Sequence, residues 1–223
     1  DSPDANGDGA VTIADWAADS RVDITAGQDR ADDRLDPSDL IATFSDGIDD
    51  DADGYIDDIC GWDFMWNDND PYDDVRYGHG TGISRDAAAE GGDGGDIGTC
   101  PNCTVLPIRV GDSFVVDGSA FGSGLAFAID RGADVAAVAV GAVQQPAWVE
   151  RAVDLAWDRG LLMIGSAADE TAYHPNPPGM AAHTFYVHAI TFNGEDPDES
   201  DSFVAYSNCT NHGVRLDGSA SSD

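Results

Sequence analysis

The sequence contains no lysine and only five glutamates. All ten basic residues are arginine, and 38 of the 43 acidic residues are aspartate, so the formal net charge is −33. A surface so poor in cations repels nucleic acid and anionic membranes, which argues against both as partners. No apolar run approaches the ~18 residues that read as a membrane span. No signal peptide is present. The chain opens at Asp1-Ser2-Pro3-Asp4 inside loop-like sequence and stops at Ser219-Ala220-Ser221-Ser222-Asp223 without a closing element. That is the expectation for a fragment, so the missing signal peptide says little about compartment.

Cysteine is scarce. Cys60, Cys100, Cys103 and Cys209 allow more than one pairing, and the sequence does not choose. Cys100-Pro101-Asn102-Cys103 has redox-motif spacing, but it precedes a strand rather than opening a helix. The expectation is a structural turn that a disulfide could close. No second ligand pair completes a zinc site.

What is abundant is aspartate, and it is not spread evenly. Twenty-three aspartates and no glutamate fall in the first 74 residues, so the acid lies ahead of the more ordered sequence. Asp4 to Asp15 follows the EF-hand loop pattern. Asp4, Asn6 and Asp8 stand at loop positions one, three and five, Gly9 at the sharp turn, Val11 at the apolar anchor and Asp15 at position twelve. Aspartate at position twelve resembles dockerin loops. Gln28 to Asp39 is a degenerate copy, with Asp32, Leu35, Asp36 and Asp39 in matching places but no glycine. In a third stretch Asp49, Asp51, Asp53 and Gly54 repeat the offsets, and Asp57 follows. Carboxylates this dense repel one another unless a cation lies between them, and calcium accepts six to eight oxygens in flexible geometry. The expected cofactor is therefore Ca2+. A saline habitat is the other source of such acidity.

Tyr77-Gly78-His79-Gly80-Thr81-Gly82 ends the acidic region. Flanking glycines let backbone and substrate approach the imidazole, which titrates near neutrality and suits proton transfer. Beyond it the chain alternates. Ser84 to Glu90 reads as a helix and Thr104 to Val110 as a strand. Phe121, Leu125, Ala128 and Ile129 have helical spacing, stopped by Gly132. Val135 to Val140 is a continuous apolar strand, expected to be buried on both faces. Trp148, Ala152, Leu155 and Ala156 mark a helix stopped by Gly160. Leu161 to Ala168 and Thr184 to Ile190 are further strands. Short glycine joints between alternating strands and helices predict an α/β fold with a mainly parallel sheet. Ligands in such folds lie beyond the carboxyl ends of the strands, here Gly141-Ala142 and Ala168-Asp169-Glu170.

From about Leu40 onward the chain resembles the subtilisin-like serine proteases, the subtilases. Gly61-Trp62-Asp63-Phe64 after the acidic loop, Gly78-His79-Gly80-Thr81, and Val105-Leu106-Pro107-Ile108-Arg109-Val110 occur in the family's order. Ala128 to Val135 is similar to the family's helix-to-strand joint, and Ser207 to Gly213 to its late turn. The resemblance implies a three-layer fold with an acidic calcium-binding region over 1–58 and an incomplete catalytic core over 59–223. It implies a secreted serine endopeptidase acting on a peptide or protein substrate, with His79 as general base. Ala139, Val140 and Gly141 match the substrate-binding segment, whose backbone pairs with an extended peptide.

Three departures stand out. Asp46-Gly47 lacks the strand that carries the family's triad aspartate, so that residue is expected outside the chain. The Gly-Thr-Ser motif of the nucleophile is absent, and Ser219, Ser221 and Ser222 lack the helix that must follow it. The fragment by itself is expected to be inactive. Asp169 stands where the family has an asparagine that donates to the oxyanion. In subtilisin, the source of the figure, losing that donor costs roughly 100- to 1,000-fold in turnover. Aspartate occurs there in some proprotein convertases, and it can donate when protonated. The rival functions are a non-catalytic peptide-binding relative and a calcium-dependent interaction module built on Asp4 to Asp15. The remaining histidines, His174, His183, His188 and His212, show no ligand spacing.

Overall fold

The computed structural model describes residues 13–28, 34–75, 77–89, 91, 95–112, 115–142, 144–168, 173, 175–191, 205–206 and 217–221. The chain divides into two compact units, Asp1–Asp74 with Val105–Arg109, and Val75–Thr104 with Val110–Asp223.

The first unit holds two short helices, α1 (Ile13–Ala18) and α2 (Pro37–Phe44). Helix α2 starts where it does because its acids cap it. The Asp36 side chain accepts from the Ser38 N–H at 2.7 Å, and Asp39 reaches back to accept from the Asp36 N–H at 3.1 Å. Pro37 fills the first turn, where no N–H is needed. Asp39 also accepts from the Gly27 N–H at 3.0 Å and is fully buried. Two acids of the degenerate second loop thus serve as helix caps.

The short strand β1 (Trp62–Asp63) pairs in parallel with β2 (Ile108–Arg109). The sequence predicted a strand over 104–110, and only two residues of it pair. Gly61 permits the approach: its φ is 107°, and a Cβ there would overlap the Pro107 carbonyl oxygen. Tyr55 packs edge-on against Trp62 and Phe64, at 5.0 and 5.7 Å between ring centres.

The second unit contains α3 (His79–Ala88), α4 (Gly118–Asp130), β3 (Val135–Val138), α5 (Ala147–Asp158), β4 (Leu162–Ser166), β5 (Thr184–Thr191), β6 (Ala205–Tyr206) and β7 (Gly218–Ser221). Strands β3, β4 and β5 lie side by side in parallel, with Val135 opposite Leu162 and Met163 opposite Thr184. Strand β7 joins β5 in parallel, and β6 is antiparallel to β5. Helices α4 and α5 pack on each other, and α5 packs on β4. Gly122 allows the close crossing, since a Cβ there would meet the Trp148 ring at 2.2 Å. Left-handed glycines end both helices, Gly132 at φ 74° and Gly160 at φ 88°.

One expectation fails. The strand at 135–140 is not buried on both faces. Val135 is 51% exposed, and Leu162 and Phe185 on the same sheet face are also open. Met163, Tyr186 and His188 on the other face are buried. The described sheet is therefore covered on one face, and β3 has a partner on one side only among the described residues. In α5 the inward stripe is Val149, Val153 and Ala156; Trp148 and Leu155 are exposed. No described helix is long and apolar enough to cross a membrane.

Candidate active site

His79 is the first residue of α3. The preceding Gly78 has φ 66° and ψ 37°, the left-handed region that glycine enters without steric cost. This turn sends the chain into the helix with the imidazole at its mouth. The His79 ring is half-buried and stacks on the exposed Tyr77 ring at 6.0 Å, with an interplanar angle of 26°. The helix predicted to begin at Ser84 therefore begins at the histidine itself.

At the carboxyl end of β3 the chain runs through Ala139 and Val140, both half-buried, to buried Gly141. The Gly141 carbonyl accepts from the Val116 N–H at 2.9 Å. Beside this segment opens a cleft of about 260 Å³ lined by residues that include Val116, Asp117, Ala142, Gln144 and Trp148. The Asp117 carboxylate accepts from the Ser119 and Ala120 N–H groups at 2.7 and 3.3 Å. The backbone bond from Ser119 is the largest cause that holds its carboxyl below the usual aspartate range.

Sequence reasoning missed Asn176. It is buried, and its amide ties the ends of two strands together. Its Nδ2 donates to the Ser166 carbonyl at 2.8 Å and, more weakly, to the Val140 carbonyl at 3.4 Å. Its backbone N–H donates to the Tyr186 hydroxyl at 3.0 Å. A Cβ on Gly141 would meet Asn176 Oδ1 at 2.3 Å, so glycine is required there. The signal available was Pro175-Asn176-Pro177-Pro178, where rigid neighbours fix one asparagine. Two residues past the end of β4, Ala168 takes a φ of 65°, which is costly for a residue with a Cβ. Asp169 follows it and lies outside the described residues, as do His174 and His212. His188 is buried in β5 against Tyr186.

In the first unit, Asp49, Asp51 and Asp53 bring carboxylate oxygens within 4.8 Å of one another. Asp49 also accepts from the Asp53 and Gly54 N–H groups, at 3.2 and 2.9 Å. Gly54 takes φ 99°, which closes the loop. Asp57 is not in this group. Its two oxygens accept from the Asp46 and Gly47 N–H groups, both at 2.9 Å. Asp15 is buried in α1, whereas Asp4, Asn6 and Asp8 lie outside the described residues. Ser219 and Ser221 lie in β7, a strand rather than a helix start.

Comparison with known proteins shows the family. The family described as "Subtilase family" matches residues 18–221. The chain is 32% identical to Thermitase of Thermoactinomyces vulgaris over 154 residues, covering 66% of this chain and 52% of that protein. It is 31% identical to the thermophilic serine proteinase of Bacillus sp. (strain AK1) over 176 residues, covering 75% of this chain and 40% of that one. It thus spans about half the length, or less, of these curated relatives. A solved cold-adapted subtilisin-like serine proteinase shares the fold, with a TM-score of 0.55 at 24% identity, over 72% of this chain and 54% of that one. The fold is the α/β subtilisin fold, and the chain belongs to the subtilase family.

Proposed function

We propose that this chain belongs to a serine endopeptidase that cleaves peptide or protein substrates with His79 as its general base. The observation that carries the reading is His79 at the first position of α3, behind left-handed Gly78, with its ring half-buried and stacked on Tyr77. An imidazole so placed takes the proton of a serine hydroxyl as it attacks, then returns it to the leaving amine. The aspartate and serine of that triad lie outside residues 1–223, and these residues alone are inactive. Ala139, Val140 and Gly141 pair with the substrate backbone, and the cleft beside them takes a substrate side chain. Asp169 occupies the oxyanion position and donates when protonated.

Calcium is the cofactor of this reading, held by the acidic region over 1–58. Asp49, Asp51 and Asp53 already converge, which fits a hard cation with oxygen ligands. Asp57, Asp15, Asp4, Asn6 and Asp8 complete the candidate ligands. The ion supplies structural charge neutralisation and takes no part in proton transfer. Secretion is the matching location, and the Cys100–Cys103 disulfide supports an oxidising compartment.

The test is His79→Ala in the intact protease. Turnover should fall by roughly 10³-fold or more with the fold retained. Unchanged peptidase activity would remove His79 from the mechanism. An activated serine probe should label the intact protease and leave the 223-residue chain unlabelled.

A further inference from the structure

The far end of the histidine helix is held by a segment that the catalytic reading leaves unexplained. The last carbonyls of an α-helix lack intrahelical donors. In α3 they are met from outside. Thr99 N–H donates to the Asp86 carbonyl at 3.0 Å, Cys100 N–H to Ala87 at 2.7 Å, and Gly98 N–H to Ala89 at 3.0 Å. The Thr99 hydroxyl adds longer bonds to the Asp86 and Ala87 carbonyls. Gly98 is buried, and a Cβ there would stand 2.5 Å from the Ala89 nitrogen. Backbone lies directly on backbone. The chain then turns at once: Cys103 N–H donates to the Cys100 carbonyl at 2.9 Å, and a Cys100–Cys103 disulfide closes the turn. Both cysteines are exposed.

We propose that the exposed Cys100–Cys103 disulfide is a redox-sensitive strap that locks residues 98–100 onto the C-terminal end of α3 and so positions His79 at the helix's other end. Cys100 and Cys103 are positioning residues and touch no substrate. The effect on His79 rests on the protease reading; the strap on α3 does not. The switching reagent is a dithiol. It delivers two electrons and two protons, the S–S bond breaks, two thiols form, and the dithiol closes into its own disulfide. The freed turn gains conformations that compete with capping, so α3 frays from its last turn.

The test is hydrogen exchange on the full 223-residue chain with and without dithiothreitol. Reduction should speed exchange at the Gly98, Thr99 and Cys100 amides by about tenfold or more and leave β4 and β5 unchanged. The His79 imidazole resonance and its titration midpoint, read by NMR, should move with it. The C100S/C103S double variant should match the reduced wild type, which separates the effect from Cys60 and Cys209. Unchanged protection at 98–100, equal loss of protection in β4 and β5, or an unmoved His79 resonance would overturn the proposal. In the intact protease, reduction should lower kcat with KM retained and shift the pH profile. An intact protein without peptidase activity in either redox state would sink the protease reading instead, while the exchange data would still judge the strap.

Discussion

Asp63 and Arg109, 46 residues apart in sequence, meet as a buried ion pair at 2.6 Å, with side-chain exposures of 1% and 10%. The pair joins β1 to β2 through side chains as well as backbone. Asp63 also accepts from the Met65 and Trp66 N–H groups, and Arg109 reaches on to Asp74 at 2.7 Å. The value of such a pair lies less in its attraction than in the cost of leaving one member alone. Arg109→Met alone should therefore destabilise the chain by about 3–5 kcal/mol. The double change Asp63→Asn with Arg109→Met should lose much less. Urea unfolding of the four proteins in this cycle measures it, and equal losses for single and double variants would refute it.

Calcium removal is the second case. Asp49, Asp51 and Asp53 repel one another without a counter-charge, so a bound cation should stabilise the native state by mass action. At one hundred times its dissociation constant the gain is about 2.7 kcal/mol. Melting in millimolar calcium should exceed melting in chelator, and Asp51→Asn should narrow the difference. Identical melting in both would discard the acidic loops as metal sites. A rise with sodium chloride alone would point to a saline habitat instead.

Two glycines of the α3 region should differ sharply on substitution. Gly78 has a positive φ but open space around its Cβ direction. Gly78→Ala should cost only the left-handed penalty, about 1–2 kcal/mol. A Cβ added to Gly98 would stand 2.6 and 2.5 Å from the Ala88 and Ala89 nitrogens. Gly98→Ala must displace main chain and should cost more. Denaturant midpoints for the two variants give the order, and the reverse order would contradict the packing described.

Acid should weaken the cap of α4. The Asp117 carboxyl is held below its usual value, chiefly by the Ser119 backbone N–H. A depressed folded pKa means that the charged cap stabilises fully above the unfolded value, about 3.9 for aspartate, and is lost as pH falls through the folded pKa. Asp117→Ser keeps a capping oxygen that does not titrate in this range. The wild type should be favoured over this variant near neutrality and lose that advantage as pH falls below the unfolded value of about 3.9. Parallel stability-against-pH curves would show that the carboxylate is not the cap that matters.

In the proposed protease reading Asp169 stands at the oxyanion position. An ionised carboxylate opposes a developing oxyanion, whereas an amide donates to it. Asp169→Asn in the intact protease should raise turnover near and above neutral pH by up to roughly 100-fold. Unchanged turnover and an unchanged pH profile would remove Asp169 from the mechanism.

Local chemistry was legible from residues alone. Glycine after an apolar run predicted the ends of α4 and α5, and both glycines take the positive φ that only they adopt cheaply. The order of strands and helices predicted a mainly parallel sheet, because a crossover helix returns the chain in the same direction. The histidine between glycines and the family to which it belongs were also readable, since short-range backbone demands leave their mark in neighbouring residues. That Val149, Val153 and Ala156 form the inward stripe of α5 was decided by its packing on α4 and β4. That Asp36 and Asp39 cap a helix, and that Asn176 ties Val140 to Ser166, depends on partners brought close by folding. Burial of β3 depends on what covers it, and an apolar run reads the same whether one face is covered or both. Sequence carries the preferences of each segment; tertiary structure assigns the partners, and with them the work each polar group does.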